Sequence, residues 1–188
     1  MTAKTTAKTA PKTEYTSRII PEMQKAFGYK NILAVPHATK VVLNIGIGKI
    51  QDKKERDAVK QTLAMITGQM PEDRKTKKAI AQFKTREGMV VGYRVTIRGK
   101  RMEAFLARLI HTALPRTRDF RGISVSSVDE HGNLHIGIRE HIIFPELIGE
   151  DFQRIYSLQV SVVTNAHSRE EARKLFELMG FPFERPEV

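Results

Sequence analysis

"MVVGYRVTIRG", residues Met89 to Gly99, decides the architecture. Successive side chains of an extended chain point to opposite faces. Val91, Tyr93, Val95 and Ile97 therefore fall on one side, and Arg94, Thr96 and Arg98 on the other. The first side needs a core and the second needs water or an anion. Such a strand belongs to a sheet with one face covered and one face open.

The neighbouring segments supply the cover. "KRMEAFLARLIHTAL" reads as an amphipathic helix burying Met102, Phe105, Leu106, Leu109 and Ile110 and ending near Pro115. "QDKKERDAVKQTLAMITG" reads as a helix with Ala58, Leu63 and Ile66 on its apolar side and Gly68 as its stop. "TKVVLNIGIG" (Thr39 to Gly48) is β-branched and bounded by glycine, which predicts a second strand; "GNLHIGI" and "RIYSLQVSVVTNA" predict two more. Thr16 or Ser17 can cap a first helix carrying Ile19, Ile20, Met23 and Phe27 and closing at Gly28. Ser168 and Glu171 form the capping box of a last helix that stops at Gly180. Strands and helices alternate without a βαβ rhythm. The expected fold is therefore α+β, a single-domain open antiparallel or mixed sheet with helices on one face and an RNA-binding open face.

Charge points to the partner. The 188 residues carry 32 Lys and Arg against 21 Asp and Glu, a net of +11 and a pI near 10.0. A basic domain of this kind is the electrostatic signature of nucleic-acid binding. The excess is focused: between Arg74 and Arg101 ten basic residues accompany one acid, whereas from Arg139 onward nine acids outnumber six bases. Residues 1–15 are mostly Thr, Ala and Lys, with no acid before Glu14 and no apolar period, which predicts a disordered basic arm, an RNA-touching or solubilising tail or a transit peptide, ahead of one domain over 16–188. Cysteine is absent, which removes thiol catalysis, thiolate zinc and disulfides and fits a reducing cytoplasm. No apolar run reaches a membrane span and no secretory h-region is seen.

Other motifs weaken on inspection. "NIGIGK" (Asn44 to Lys49) lacks the glycine spacing and the Ser or Thr of a phosphate loop, so its glycines mark a bend or a close backbone approach. His131, His135 and His141 lie near one another but without a metal-ligand pattern, which favours histidines that face solvent or RNA over metal ligands. Asp119, Asp129 and Glu130 keep open an alternative, a magnesium-dependent nuclease or another RNA-modifying enzyme. "RTRDFRG" (Arg116 to Gly122) is either an internally paired loop anchored by Phe120 or a contact surface for phosphate or protein. "DRKTKKAIAQFKTREG" (Asp73 to Gly88) holds six basic side chains and almost nothing to bury. It predicts a long basic loop over 73–88 that reaches toward a polyanion, with Phe83 as a surface for a base or sugar.

Taken in order, "LNIGIG", "ITGQMP", "KAIAQFKTREG", "GYRVTIRGKRM", "LPRTRDFRG" and "GNLHIGIREHIIFPE" closely resemble the L-five family of bacterial large-subunit ribosomal proteins, which bind 5S rRNA. The likeness runs from about Ser17 to Pro186. It implies an open antiparallel sheet with helices on one side and a non-catalytic role without cofactor, metal, small-molecule substrate or membrane, in the cytoplasmic ribosome. It also implies anchoring of 5S rRNA beside large-subunit rRNA in the central protuberance, contact of the long loop with peptidyl-site tRNA, and a bridge to a small-subunit head protein. By motif, Asn44, Gln69 and Thr96 match the 5S-rRNA contacts, and Lys40, Arg94 and Arg98 join them as basic neighbours. Lys75, Lys77, Lys78, Gln82, Lys84 and Arg86 match the tRNA loop. Arg116, Arg118, Asp119, Phe120, Arg121, Ile143 and Phe144 fall where the family meets the small subunit. Met70, Glu72, Asp73 and the pair Val90-Val91 depart from the family pattern and bear on the path and charge of the loop.

Overall fold

Strands β1 (Ala38–Gly46), β2 (Glu72–Lys75), β3 (Val90–Ile97), β4 (Leu134–Ile138) and β5 (Leu158–Thr164) form one sheet in the order β2–β3–β1–β5–β4. Every neighbouring pair is antiparallel. The structure is a computed structural model, and it describes residues 18–48, 50, 52–118, 120–147, 149 and 154–184. The basic arm and the cap at Thr16 or Ser17 lie outside the described residues.

The alternation expected for β3 extends to β1, β4 and β5. Val41, Leu43 and Ile45 of β1, Tyr93, Val95 and Ile97 of β3, Ile136 of β4 and Val160 of β5 are buried on one face. Two helices cover that face: α2 (Lys53–Thr67) through Val59, Leu63 and Ile66, and α3 (Gly99–Arg108) through Met102, Phe105 and Leu106. Each such side chain contributes about 1.5–3 kcal/mol by leaving water. Ala58, expected on the apolar side of α2, is exposed, and Val59 is buried next to it. After α3 the chain passes through a π turn at Leu109–Ala113 and a 3-10 turn at Leu114–Arg116, which takes up Pro115 at its start.

A smaller cluster joins α1 (Ile20–Phe27) to α4 (Arg169–Leu178) through Ile20, Met23, Leu175 and Leu178. Phe27, expected in this stripe, is 37% exposed and lies against Tyr29 instead. Ser168 caps α4 by accepting from the Glu171 N–H at 3.2 Å. Glu171 returns the bond one residue further out than expected, to the His167 N–H at 3.1 Å.

The segment before β3 differs most from expectation. Residues 69–88 are not one long loop, because β2 pairs with β3 and forms an edge of the sheet. "EDRK" gives no apolar alternation, and all four residues are exposed. The strand exists because β3 offers it a ladder and because its two acids are tied down on opposite sides. Glu72 bonds Arg94 on the open face, and Asp73 bonds Lys60 of α2 on the covered one.

Candidate nucleic-acid interface

The face of the sheet opposite the helices carries an ordered set of polar side chains. In one row, Glu72 stands beside Arg94, Arg94 beside Asn44, Asn44 beside Gln159, and Gln159 beside Gly137. In the next, Thr96, Val42, Ser161 and His135 are neighbours in the same way. Lys40 follows, paired with Val163. Four of the expected RNA contacts, Lys40, Asn44, Arg94 and Thr96, thus share one surface. Arg98 is exposed just beyond β3, at the cap position of α3. Gln69 lies off the strands, in the exposed turn after α2, where its backbone bonds the Thr67 hydroxyl in both directions.

Glu72 tempers the charge of this face. Its Oε2 accepts from Arg94 Nη2 at 2.8 Å and its Oε1 from Arg74 Nη1 at 3.4 Å. The bond from Arg94, then the Arg94 charge, with Arg74 adding to it, hold the Glu72 carboxyl below its ordinary pKa. On the helix side Lys60 Nζ donates to Asp73 at 2.9 Å and sits 5.7 Å from the Tyr93 ring centre. The Asp73 contact raises the Lys60 pKa. The departures at Glu72 and Asp73 therefore fasten the edge strand.

Ser161 and Gln159 were not among the residues expected here, and His135 was expected only to face solvent or RNA. His135 Nε2 lies 3.3 Å from Asp129 Oδ2, and its Nδ1 lies 2.9 Å from Ser161 Oγ. With the carboxylate accepting from Nε2–H, Nδ1 is left to accept the Ser161 hydroxyl hydrogen. Burial opposes ionisation of Asp129, but the Asn133 N–H and amide, with His135, outweigh it and lower its pKa. The period-two polar positions of "SLQVSVV" carried a signal for Gln159 and Ser161, but only the register places them beside Asn44 and Val42.

The basic segment is a hairpin arm continuing β2 and β3. Thr76 N–H donates to Met89 at 2.9 Å, and Ile80 and Thr85 exchange two backbone bonds of 3.2 Å. Between them, Ala81–Phe83 make a 3-10 turn closed by Lys84 at φ 50°. Lys75, Lys77, Lys78, Gln82, Lys84 and Arg86 are all exposed, and Phe83 is 68% exposed at the tip. No residue from 72 to 88 is buried.

The third expected group divides. Arg116, Arg118 and Arg121 are exposed, while Phe120 is half-buried against the core; Asp119 lies outside the described residues. Gly122 holds φ 117°, and a Cβ there would come within 2.6 Å of the Glu184 nitrogen. The loop is thereby locked to the C-terminal segment by Ile123 N–H to Pro182 and Glu184 N–H to Ile123. Ile143 and Phe144 are core side chains, Phe144 lying 6.0 Å from the Phe105 ring. Ile142 is the exposed apolar residue of that turn.

His141 is buried, whereas His131 and His135 are exposed. Among the described residues, no three His, Asp or Glu side chains gather as a metal site, and no helix is long and apolar enough to cross a membrane.

Comparison with known proteins accords with this geometry. Residues 31–86 match a family model described as Ribosomal protein L5, and residues 90–183 match the model of the same ribosomal family's C-terminus. The large ribosomal subunit protein uL5 of Synechocystis is 50% identical over 173 residues, covering 92% of this chain and 96% of the relative. Those of Halothermothrix orenii and Dictyoglomus thermophilum are 47% and 45% identical, covering 90% and 93% of this chain and 96% and 98% of theirs.

The chain belongs to the ribosomal protein L5 family.

As an L5 protein it is a structural, non-enzymatic component of the large ribosomal subunit. Asp129, which the nuclease alternative required, is engaged with Asn133 and His135. Among the described residues, helices cover one face of the sheet, and the row of Arg94, Asn44 and Gln159 lies on the other.

Proposed function

We propose that this L5 chain holds 5S rRNA on the open face of its sheet, through Asn44, Thr96, Lys40 and Arg94 with Gln69 and Arg98 at its margin. The observation carrying this reading is the alignment of Arg94, Asn44 and Gln159 in one row, away from the helices. Short amides and hydroxyls suit 2′-hydroxyl and base-edge contacts, while Arg and Lys neutralise phosphate. The hairpin arm then reaches peptidyl-site tRNA with its exposed lysines, and the arginines of 116–121 meet a protein of the small-subunit head. The basic arm over residues 1–15 adds charge to the same ribonucleoprotein.

Titrating 5S rRNA against the protein at several salt concentrations tests the main claim. Each phosphate contact adds about 0.7–0.9 to the log–log salt slope. Asn44→Ala and Thr96→Ala, which remove no charge, are expected to weaken binding and leave that slope nearly unchanged. Affinity independent of salt, or equal for an unrelated RNA of the same length, rejects the reading.

A further inference from the structure

Two strand glycines on the open face leave space that no other group among the described residues fills. Glycine inside a strand costs conformational entropy and forgoes side-chain packing, so it marks a bulge, a tight contact or a place where something else comes close. Gly92 has an internal reason: a Cβ there would stand 2.9 Å from the Ile45 carbonyl oxygen. Gly46 and Gly137 show none among the described residues. Neither has a positive φ, and a Cβ on either would meet nothing within 4 Å. They flank β5 on its two sides, Gly137 directly beside Gln159 and Gly46 two residues past Asn44. Together they floor a depression of about 470 Å³ whose other lining includes Asn44, Gln159, His135 and Arg139.

We infer that this depression receives one unpaired nucleotide of the bound RNA, its base lying on the bare peptide planes of Gly46 and Gly137. The inference rests on the proposal that the open face binds 5S rRNA. Its volume falls in the roughly 300–1,000 Å³ range of sites that enclose a small molecule. Asn44 and Gln159 each offer a donor and an acceptor, the combination needed to read the edge of an unstacked base. Arg139, exposed at the rim, supplies a cation for the phosphate. A side chain on either glycine would occupy the space the base needs.

The test uses the full chain with Gly137→Val and Gly46→Ala, each measured for melting temperature and for 5S rRNA affinity. Nucleotide-resolved chemical probing of the complex accompanies both. Open space around each Cβ predicts melting within a few degrees of the parent. Affinity for 5S rRNA is expected to fall at least tenfold for Gly137→Val, and one unpaired nucleotide protected by the parent becomes reactive again. Unchanged affinity and protection, or a fall in melting that parallels the loss of binding in both variants, overturns the inference. If the parent chain itself fails to bind 5S rRNA, the proposed function falls, an outcome distinct from a parent that binds and variants that bind equally well.

Discussion

Glu72 and Arg94 stand directly across the β2–β3 ladder, and the arginine donates to the carboxylate at 2.8 Å. One bond thus secures the edge strand and withholds part of a cation from the open face. Glu72→Gln is expected to release that cation, increasing the salt slope of 5S rRNA binding by about 0.7–0.9 and tightening binding at low salt. Because the Glu72 pKa is lowered in the fold, its contribution to stability is present above the ordinary carboxylate value of 4.5 and fades as pH falls through the folded value. Acid unfolding curves of parent and variant should therefore converge at low pH. Unchanged salt dependence argues that RNA does not engage Arg94.

His141 provides a second pH dependence, of the same sign but at higher pH. It is fully buried, its ring lies tilted 5.3 Å from the Tyr156 ring, and its Nδ1 accepts the Tyr156 N–H at 3.0 Å. The Tyr156 hydroxyl in turn donates to Glu55, which pairs with Arg154. Burial lowers the imidazole pKa from 6.5. A base with a depressed folded pKa binds its proton more readily when unfolded, so its penalty is absent above pH 6.5 and grows as pH falls below it. His141→Gln keeps an acceptor for the N–H and should flatten the urea midpoint between pH 7.5 and 5.5. A variant as pH-sensitive as the parent refutes this.

Lys84 is the only non-glycine residue at positive φ among the described residues. Left-handed backbone costs a side-chain-bearing residue about 1–2 kcal/mol, which glycine avoids. Lys84→Gly and Lys84→Ala remove the same charge but differ in that strain. Both are expected to weaken peptidyl-site tRNA binding to the assembled ribosome equally, while Lys84→Gly melts higher. Together with Lys77→Ala and Lys78→Ala, each expected to cost within about 0.5 kcal/mol, the series separates the charge of the arm from its shape. A large loss of stability with unchanged tRNA affinity would assign the arm to the fold.

The turn at His141–Ile143 offers a clean contrast between neighbours. Phe144→Ala empties a core position beside Phe105 and should destabilise by about 3–5 kcal/mol. Ile142→Ala, at a 39% exposed position, should change stability by no more than about 0.5 kcal/mol and loosen association of the two subunits. Equal effects of the two changes on melting would show that Ile142 also belongs to the core.

Much of this was legible because β3 and α3 carry strong periods. Val95 and Ile97 alternate with Arg94 and Thr96, and Met102, Phe105 and Leu106 repeat at helical spacing, so both the covered and the open face follow from local sequence. β2 was hidden because "EDRK" has no apolar period, and its ladder depends on β3, some fifteen residues later. Ile143 and Phe144 read as contact residues because short 3-10 turns impose no repeat to tell inside from outside. Asn44 and Thr96 were expected through motif likeness, whereas the places of Gln159, Ser161 and His135 beside them depend on the register of β5 and β4. Strand pairing across more than a hundred residues leaves no local trace.

The strand order has a consequence in time. β1 occupies the middle of the sheet, yet one of its neighbours, β5, ends only at Thr164. A growing chain that has made residues 38–46 must hold that strand without its second partner until most of the protein has been synthesised. Pairings so distant along the chain are slow to form. A chain truncated before residue 159 cannot place Gln159 beside Asn44. The row from Arg94 through Asn44 to Gln159 is therefore complete only once the last strand is in place.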